Sequence, residues 1–250
     1  MSIAISFLLG LIQGLTEFLP VSSSGHLILA QYLMDMPEDM MLFNIMLHVA
    51  TLCAVLIVFR YRVWELIRNP FSSMGISLMI ATLVTVTFVL VFGRIIDAAF
   101  SVYTLPVAFF ITAIVLLLVS FIKTGEKEVG HKEGAWIGLV QGLAVIPGFS
   151  RSGFTIAAGL TAGVKRERAA EFSFLMSIPI IVAALVYEIA REGFSGVGVE
   201  AFPLMVGFLT ALVSGIFAIK VMLALIKRIK LYWFSVYLII LAVVSAIIIY

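Results

Sequence analysis

The feature that most constrains this chain is a set of long apolar stretches that contain no charged residue. Each is about as long as the roughly 20 apolar residues that an α-helix needs to cross a bilayer. Charged residues make up only 12% of the chain, against about 25% in an average soluble domain. A soluble fold could not bury so much apolar surface, so the stretches predict membrane-spanning helices. They are Met40–Phe59, Asn69–Gly93, Ala98–Ile122, Ala201–Ile219 and Leu231–Tyr250.

A shorter apolar stretch, Phe172–Tyr187, lies between Glu171 and Glu188 and predicts a sixth span if it is extended at either end. Cys53 is the only cysteine, which excludes an internal disulfide and a thiolate metal cluster. The sequence has no feature of a nucleic-acid-binding protein. We expect an all-α integral membrane protein that forms one domain over residues 1–250.

Two further apolar segments are interrupted by proline, glycine and serine. The arms of the second are too short to span a bilayer, and the first repeats its design, so both predict re-entrant helical hairpins. The first hairpin has the arms Ile3–Leu19 and His26–Met34 around a break at 20–25. The second has the arms Ala135–Ile146 and Thr155–Val164 around a break at 147–153.

The positions of the basic residues predict the topology. Lys and Arg are enriched in cytoplasmic loops, and here they cluster at 60–68, 123–132, 165–168 and 220–230. If all four clusters are cytoplasmic, the second hairpin enters from the cytoplasm. The acidic loop at 35–39 would be external, so the first hairpin would enter from outside. We therefore expect six spans and two opposed hairpins, with both termini outside.

The two hairpins are related in sequence. Residues 10–26 align without gaps on residues 138–154, and eight of the seventeen positions are identical. Two similar halves that enter from opposite faces form an inverted-topology repeat, here residues 1–122 and 134–250. Such folds place their binding site near the membrane midplane, where broken helices meet. The alternative is that the shared glycines only permit close helix packing.

Arg151 is an ionisable residue inside the second hairpin, and such groups are costly in a membrane and usually functional. Its planar guanidinium suits phosphate, and free amides at a helix start also favour an anion. We expect the site to bind a phosphate group through Arg151 and its polar neighbours. The alternative is a structural ion pair between Arg151 and Glu17. The neighbours expected to bind substrate are Ser150, Ser152, Gly153 and Thr155.

The first hairpin supplies groups that could react. Three hydroxyls stand at its break, and a histidine follows; a serine becomes a useful nucleophile beside such a base. Glu17 would orient the histidine, hold a divalent cation or activate water. Capping of the broken helix is the alternative role for each serine. The residues concerned are Ser22, Ser23, Ser24 and His26. Of these, Ser22 and Ser24 are expected to bind substrate.

Three more polar residues lie within the apolar segments. His48 is expected either to line the same cavity or to be a hydrogen-bonded packing histidine. Gln13 and Gln141 occupy equivalent positions of the repeat and would bond exposed carbonyls at the breaks.

The motifs GLTEFLPVSSSGH at 14–26 and IPGFSRSG at 146–153 resemble the two signature motifs of the bacitracin-resistance (BacA-type) undecaprenyl-diphosphate phosphatases. The segment GVKRERAAEFSFLMSIP at 163–179 also resembles that family, and the likeness covers essentially the whole chain. The resemblance implies a membrane enzyme that removes the terminal phosphate of a C55-type isoprenyl diphosphate. It also implies two opposed hairpins around a site open to the outer face of the cell membrane. By position, it makes Glu17, Ser23, His26 and Arg151 the catalytic or phosphate-binding residues.

Two departures from the family bear on a metal. Many members have Glu at the position of Gln13, which would form with Glu17 a pair for a divalent cation such as Mg²⁺ or Ca²⁺. Bacterial members often have Gln at the position of His48. A cation held by Glu17 is therefore an open expectation for this chain.

We expect in-line attack on the terminal phosphorus by Ser23, with His26 as base. The alternative is direct attack by a water molecule that Glu17 and His26 hold. The expected partners are a polyprenyl diphosphate and membrane lipids, and a homodimer stays open. The rival class is a lipid-phosphate flippase or phosphate transporter, because inverted repeats with broken helices are typical of transporters.

Overall fold

The computed structural model describes residues 1–36, 40–99, 101–123, 125–192, 200–228 and 230–250. The described residues form eleven α-helices and a short 3₁₀ turn at Val102–Thr104, and no strand. The helices are α1 Ile3–Phe18, α2 Ser23–Leu33, α3 Met41–Val58, α4 Arg60–Arg68, α5 Ser73–Ala98, α6 Leu105–Val119, α7 His131–Leu143, α8 Arg151–Thr161, α9 Arg166–Glu192, α10 Ala201–Leu225 and α11 Tyr232–Ile249. Most of the loop predicted at 35–39 lies outside the described residues.

Five of these helices, α5, α6, α9, α10 and α11, are long and apolar enough to cross a membrane. Helix α3 adds a sixth span if it is counted with α4, to which it is joined at a bend of 81°. The sequence prediction of an all-helical, multi-pass membrane protein is therefore confirmed. Helix α9 begins at Arg166, six residues before the predicted span, and continues through Pro179.

Helix α4 was not predicted, because its basic residues indicated only a loop. Arg62 pairs with Glu65 one turn along the helix (2.7 Å) and with Glu171 of α9 (2.8 Å). Arg68 lies over the ring of Trp64, with 5.0 Å from its guanidinium carbon to the ring centroid. These contacts stabilise a short helix that periodicity alone did not indicate.

The two interrupted segments are broken helices, as predicted, but the second helix of each begins earlier than expected. Helix α2 begins at Ser23 and α8 begins at Arg151, because the preceding serine caps each helix. Ser22 Oγ accepts from the Gly25 amide at 3.2 Å, and Ser150 Oγ accepts from the Gly153 amide at 3.1 Å. Ser23 and Arg151 therefore stand at equivalent helix N-termini instead of inside the breaks.

The helices pack in matching pairs. Helix α1 runs along α10, and its counterpart α7 runs along α5. Helix α3 packs on α10, as α9 packs on α5, and α6 packs on α11. The first helix of each broken segment thus lies against the middle long helix of the other half.

Glycines make these close approaches possible. A Cβ at Gly14 would lie 2.5 Å from the Ala211 carbonyl oxygen of α10, and one at Gly138 would lie 2.7 Å from Ala81 Cα of α5. A contact that short cannot be accommodated by a backbone partner. The packing role expected for the shared glycines is therefore confirmed, and the polar residues at the breaks need a separate explanation.

Candidate active site

The two breaks touch each other inside the protein. The Ser152 hydroxyl donates to the Leu19 carbonyl across the breaks at 2.8 Å. A Cβ at Gly25 would lie 3.0 Å from Gly148 Cα, so the start of α2 also abuts the second break. The N-termini of α2 and α8 are consequently brought together, although 128 residues separate Ser23 from Arg151 in the chain.

Backbone amides are available at both helix starts. The caps satisfy the third amide of each helix, and the amides of the first two residues have no hydrogen-bond partner among the described residues. These residues are Ser23 and Ser24 in α2, and Arg151 and Ser152 in α8. Free amides at a helix N-terminus favour an anion, because they point at it and the helix dipole has the matching sign.

Glu17 is the centre of the polar cluster. It is only 6% exposed, and its carboxylate pairs with the guanidinium of Arg151 through Nη2. Its other oxygen accepts from the Ser23 hydroxyl at 2.5 Å and from the Gln13 amide nitrogen at 3.0 Å. The ion pair foreseen as the structural alternative does form, and a serine hydroxyl is bonded to the same carboxylate.

Arg151 uses only part of its hydrogen-bonding capacity. Its side chain is 17% exposed, and Nη1 is buried with no partner in the described part of the chain. A buried, unpaired guanidinium N–H is costly. An anion bound beside Glu17 would satisfy it.

His48 joins the cluster from α3. Its Nδ1 lies 2.9 Å from Gln13 Nε2 and 3.6 Å from the nearer oxygen of Glu17. Thr51, one turn along α3, lies 3.5 Å from the same Gln13 nitrogen. His48 therefore lies beside the polar cluster and is hydrogen-bonded there.

His26 is oriented differently from the expectation. Its Nδ1 lies 2.7 Å from the Ser22 carbonyl, and its Nε2 lies 2.6 Å from the Tyr237 hydroxyl. The ring stacks on Tyr237 at 5.8 Å between centroids. Since Ser23 bonds Glu17, neither nitrogen of His26 is placed to take the Ser23 proton.

Tyr237 is the residue that sequence reasoning missed. It lies on α11, 211 positions beyond His26. Within the apolar stretch Leu231–Tyr250 it is one of three tyrosines, and no local pattern distinguished it from the other two.

The remaining residues predicted for the site differ in their burial and in their hydrogen-bond partners. Ser22 and Ser150 are buried caps, and Thr155 is fully buried with its hydroxyl 2.6 Å from that of Ser173. Ser24 is half-buried and has no side-chain hydrogen bond to the described residues. Gln13 donates to Glu17 and Gln141 donates to Thr85 of α5 at 3.2 Å, so the expectation that these two residues bond carbonyls at the breaks was wrong. The second half therefore contributes to the cluster mainly through Arg151 and the amides of α8.

The donors around Glu17 do not suit a resident divalent cation. Both carboxylate oxygens are occupied by N–H and O–H donors. No group of three or more His, Cys, Asp or Glu side chains that could hold a metal ion occurs within the described ranges. A divalent cation needs several oxygen ligands. The cluster offers the Glu17 carboxylate, which is already paired, and the buried Gln13 Oε1, which has no hydrogen-bond partner among the described residues; these two groups are fewer than a cation needs.

Two apolar grooves lie on the outside of the bundle, away from the polar cluster. One, of about 360 Å³, lies between α5 and α9 and includes Leu83 and Pro179. The other, of about 300 Å³, lies between α10 and α3 and includes Phe208 and Met46. They occupy equivalent positions in the two halves.

Together these features define a class: a multi-pass membrane protein in which two broken helices meet at a buried Glu–Arg–Ser cluster suited to an anionic group.

Comparison with known proteins gives the family within that class. The sequence model described as "Bacitracin resistance protein BacA" matches residues 6–244. An undecaprenyl-diphosphatase of Carboxydothermus hydrogenoformans is 40% identical over 245 residues, covering 95% of this chain and 94% of the relative. One of Treponema denticola is 42% identical over 258 residues, covering 96% and 94%. Undecaprenyl-diphosphatase 4 of Bacillus thuringiensis strain Al Hakam is 38% identical over 238 residues, covering 93% and 92%. This chain belongs to the bacitracin resistance protein BacA family.

Proposed function

We propose that this protein is a membrane phosphatase that removes the terminal phosphate of an undecaprenyl-type polyprenyl diphosphate at the Glu17–Ser23–Arg151 cluster. The observation that carries the proposal is the pairing of a serine hydroxyl with Glu17 at 2.5 Å, beside an Arg151 nitrogen that lacks a partner in the described chain. The names of the relatives support the substrate class. The product monophosphate would return to use as a carrier lipid.

The first step uses the hydrogen bond between Ser23 and Glu17. Ser23 Oγ attacks the terminal phosphorus in line, and its proton passes to Glu17. The bond from that phosphorus to the bridging oxygen breaks, and Glu17 passes the proton to the leaving polyprenyl monophosphate. This leaves a phosphoseryl group and an ionised Glu17.

In the second step, Glu17 takes a proton from a water molecule that attacks the phosphoserine. The proton returns to Ser23 Oγ as inorganic phosphate departs. Arg151 Nη1 and the free amides of α2 and α8 stabilise the charge on the phosphoryl oxygens in both steps, as pre-oriented donors do in other enzymes.

This mechanism transfers the role of base from His26 to Glu17. A carbonyl oxygen only accepts, so His26 Nδ1 donates to the Ser22 carbonyl. Ser22 is the cap of α2 and has a left-handed backbone with φ of 69°. His26 therefore acts as a positioning residue that holds this strained turn and, through it, the neighbouring Ser23.

A resident metal ion has no step in the mechanism, since the donor set around Glu17 does not suit one. A cation that arrives bound to the diphosphate would belong to the substrate. Arg151 and the two helix N-termini supply the positive potential within the protein.

We also propose the finer architecture: six spans and two opposed re-entrant hairpins in an inverted repeat, with the site open to the outer face of the plasma membrane. The matching packing of α1 on α10 and of α7 on α5 supports the repeat. So do the equivalent caps at Ser22 and Ser150.

The transporter alternative is not favoured. A carrier would need the positive charge of Arg151 but has no use for a serine hydroxyl bonded to a carboxylate. The relatives over nearly the full length of the chain are named as phosphatases.

The test is phosphate release from undecaprenyl diphosphate by purified protein in detergent, comparing Ser23→Ala with Ser24→Ala. The two serines are neighbours in the first turn of α2, but only Ser23 bonds Glu17. We expect Ser23→Ala and Arg151→Ala to lose turnover by at least about 10³-fold, and Ser24→Ala to keep most of it. Turnover that survives in Arg151→Ala, or that is lost equally in both serine variants, would contradict the assignment.

A further inference from the structure

The orientation of the Gln13 amide is determined by its neighbours. Glu17 is paired with Arg151, so its oxygens only accept hydrogen bonds. The Gln13 atom 3.0 Å from Glu17 must therefore be the amide nitrogen. Amide orientations are assigned from such networks, and here the carboxylate leaves one choice.

The same nitrogen determines the tautomer of His48. An amide nitrogen carries two hydrogens and accepts none. Gln13 Nε2 has two close partners, Glu17 at 3.0 Å and His48 Nδ1 at 2.9 Å, and Thr51 Oγ1 is farther away at 3.5 Å. His48 Nδ1 must accept the second hydrogen, so the ring is neutral and carries its proton on Nε2.

The Nε2–H group of His48 has no hydrogen-bond partner among the described residues, and the side chain is 34% exposed. The Nδ1 side of the ring lies 3.6 Å from the same Glu17 oxygen that accepts from the Ser23 hydroxyl. Beside it, Arg151 Nη1 is a second unpartnered donor. His48 and Arg151 both flank Glu17, and a free donor on each matches a group that only accepts, such as a phosphoryl group.

We infer that His48 donates through Nε2–H to an oxygen of the transferred phosphoryl group, and that Gln13 is a positioning residue that sets this tautomer. The inference rests on the proposed function and adds a second phosphoryl-binding side chain to it. The donor is neutral, so it binds the phosphoryl group without disturbing the charge balance of the Glu17–Arg151 pair.

The first test reads the tautomer directly and needs no turnover. The chain has three histidines, so ¹⁵N-imidazole spectra of the whole protein in detergent can be assigned with His131→Gln and His48→Gln. We expect wild-type His48 to show an unprotonated Nδ1 and a protonated Nε2, and its Nε2 signal to shift when methylenediphosphonate is added. Gln13→Leu should release the ring into a mixture of tautomers. A wild-type His48 protonated on Nδ1, or an Nε2 signal indifferent to the diphosphonate, would overturn the inference.

The second test measures turnover on undecaprenyl diphosphate. His48→Leu removes the donor and should lower kcat by about 10²-fold. His48→Gln places an amide N–H near the position of Nε2 and should recover at least about a tenth of the wild-type kcat. His48→Asn, whose amide reaches only the position of Nδ1, should resemble His48→Leu. Equal kcat values for the Gln and Asn variants would refute the assignment to Nε2.

Failure of this inference can be distinguished from failure of the proposed function. If the wild type releases no phosphate, the phosphatase assignment fails, and the tautomer and the diphosphonate shift still test His48. If the wild type is active and His48→Leu matches it, the inference alone fails. Thermal melting of each variant shows whether that variant still folds. If a His48 variant does not fold, the ¹⁵N spectra of the wild-type protein still test the tautomer and the diphosphonate contact.

Discussion

The Glu17→Gln substitution removes the charge that balances a buried guanidinium. Glu17 is 6% exposed and the Arg151 side chain 17%. Breaking a buried ion pair by removing one partner destabilises a protein by about 3–5 kcal/mol, because an uncompensated charge remains. A glutamine keeps the size of the side chain and one acceptor oxygen. We therefore expect the free energy of unfolding to fall by about 3 kcal/mol, near the lower end of this range.

A double-mutant cycle isolates the pair. Arg151→Met alone leaves Glu17 unpaired and should cost a similar amount, whereas the double variant has no uncompensated charge. We expect the double variant to lose about 2 kcal/mol less unfolding free energy than the sum of the two single losses. This coupling energy is within the range for residues in direct contact. All three variants should be inactive, because each lacks a group that acts on the phosphoryl group or on Ser23.

The assay is equilibrium unfolding in mixed micelles with increasing SDS, followed by circular dichroism. Glu65→Gln is the matched control, because Glu65 also pairs with an arginine but its side chain is 57% exposed. An exposed pair contributes at most about 1 kcal/mol. Strict additivity in the Glu17–Arg151 cycle, or a loss no larger than that of the control, would refute the claim that this pair is a buried, coupled unit.

Three other predictions concern a close backbone approach, a hydrogen bond and the metal content of the protein. Gly25→Ala would place a Cβ 2.6 Å from Phe109 Cζ and 3.0 Å from Gly148 Cα. We expect this substitution to separate the two breaks, to lower the free energy of unfolding by about 1–3 kcal/mol and to reduce turnover. Wild-type stability together with wild-type turnover would contradict the close approach. Tyr237→Phe keeps the stacked ring but removes the 2.6 Å hydrogen bond to His26, which should cost about 0.5–1.5 kcal/mol in the same unfolding assay; no measurable loss would argue against that bond. EDTA should leave the melting temperature of the substrate-free protein unchanged, and a fall that Mg²⁺ reverses would reveal a resident cation.

The local features of this protein could be predicted from the sequence for a physical reason. A span in lipid needs a continuous apolar stretch, because unpaired backbone groups and charges are costly there. Such stretches are visible without knowledge of any neighbour. The broken helices were visible too, because their proline and glycine residues and the repeated motif are local. The cap at Ser22 was foreseen as one of two roles for that residue.

The partners of each polar side chain were decided by the tertiary structure. Sequence proximity suggested that Ser23 and His26 act together, but packing of α11 against α6 brings Tyr237 to His26, and Ser23 turns to Glu17. The link from Gln13 to His48 likewise depends on how α1 and α3 pack. Serine, histidine and glutamine can each bond several groups, so their residue types limit the candidates without selecting one. The sequence by itself determined that the protein is helical and crosses the membrane several times, and that two of its helical segments are broken, because the cost of burying backbone and charge is local. Only the tertiary structure decided which hydroxyl meets which base, because a hydrogen bond requires two groups within about 3 Å, and that distance depends on helices far apart in the chain.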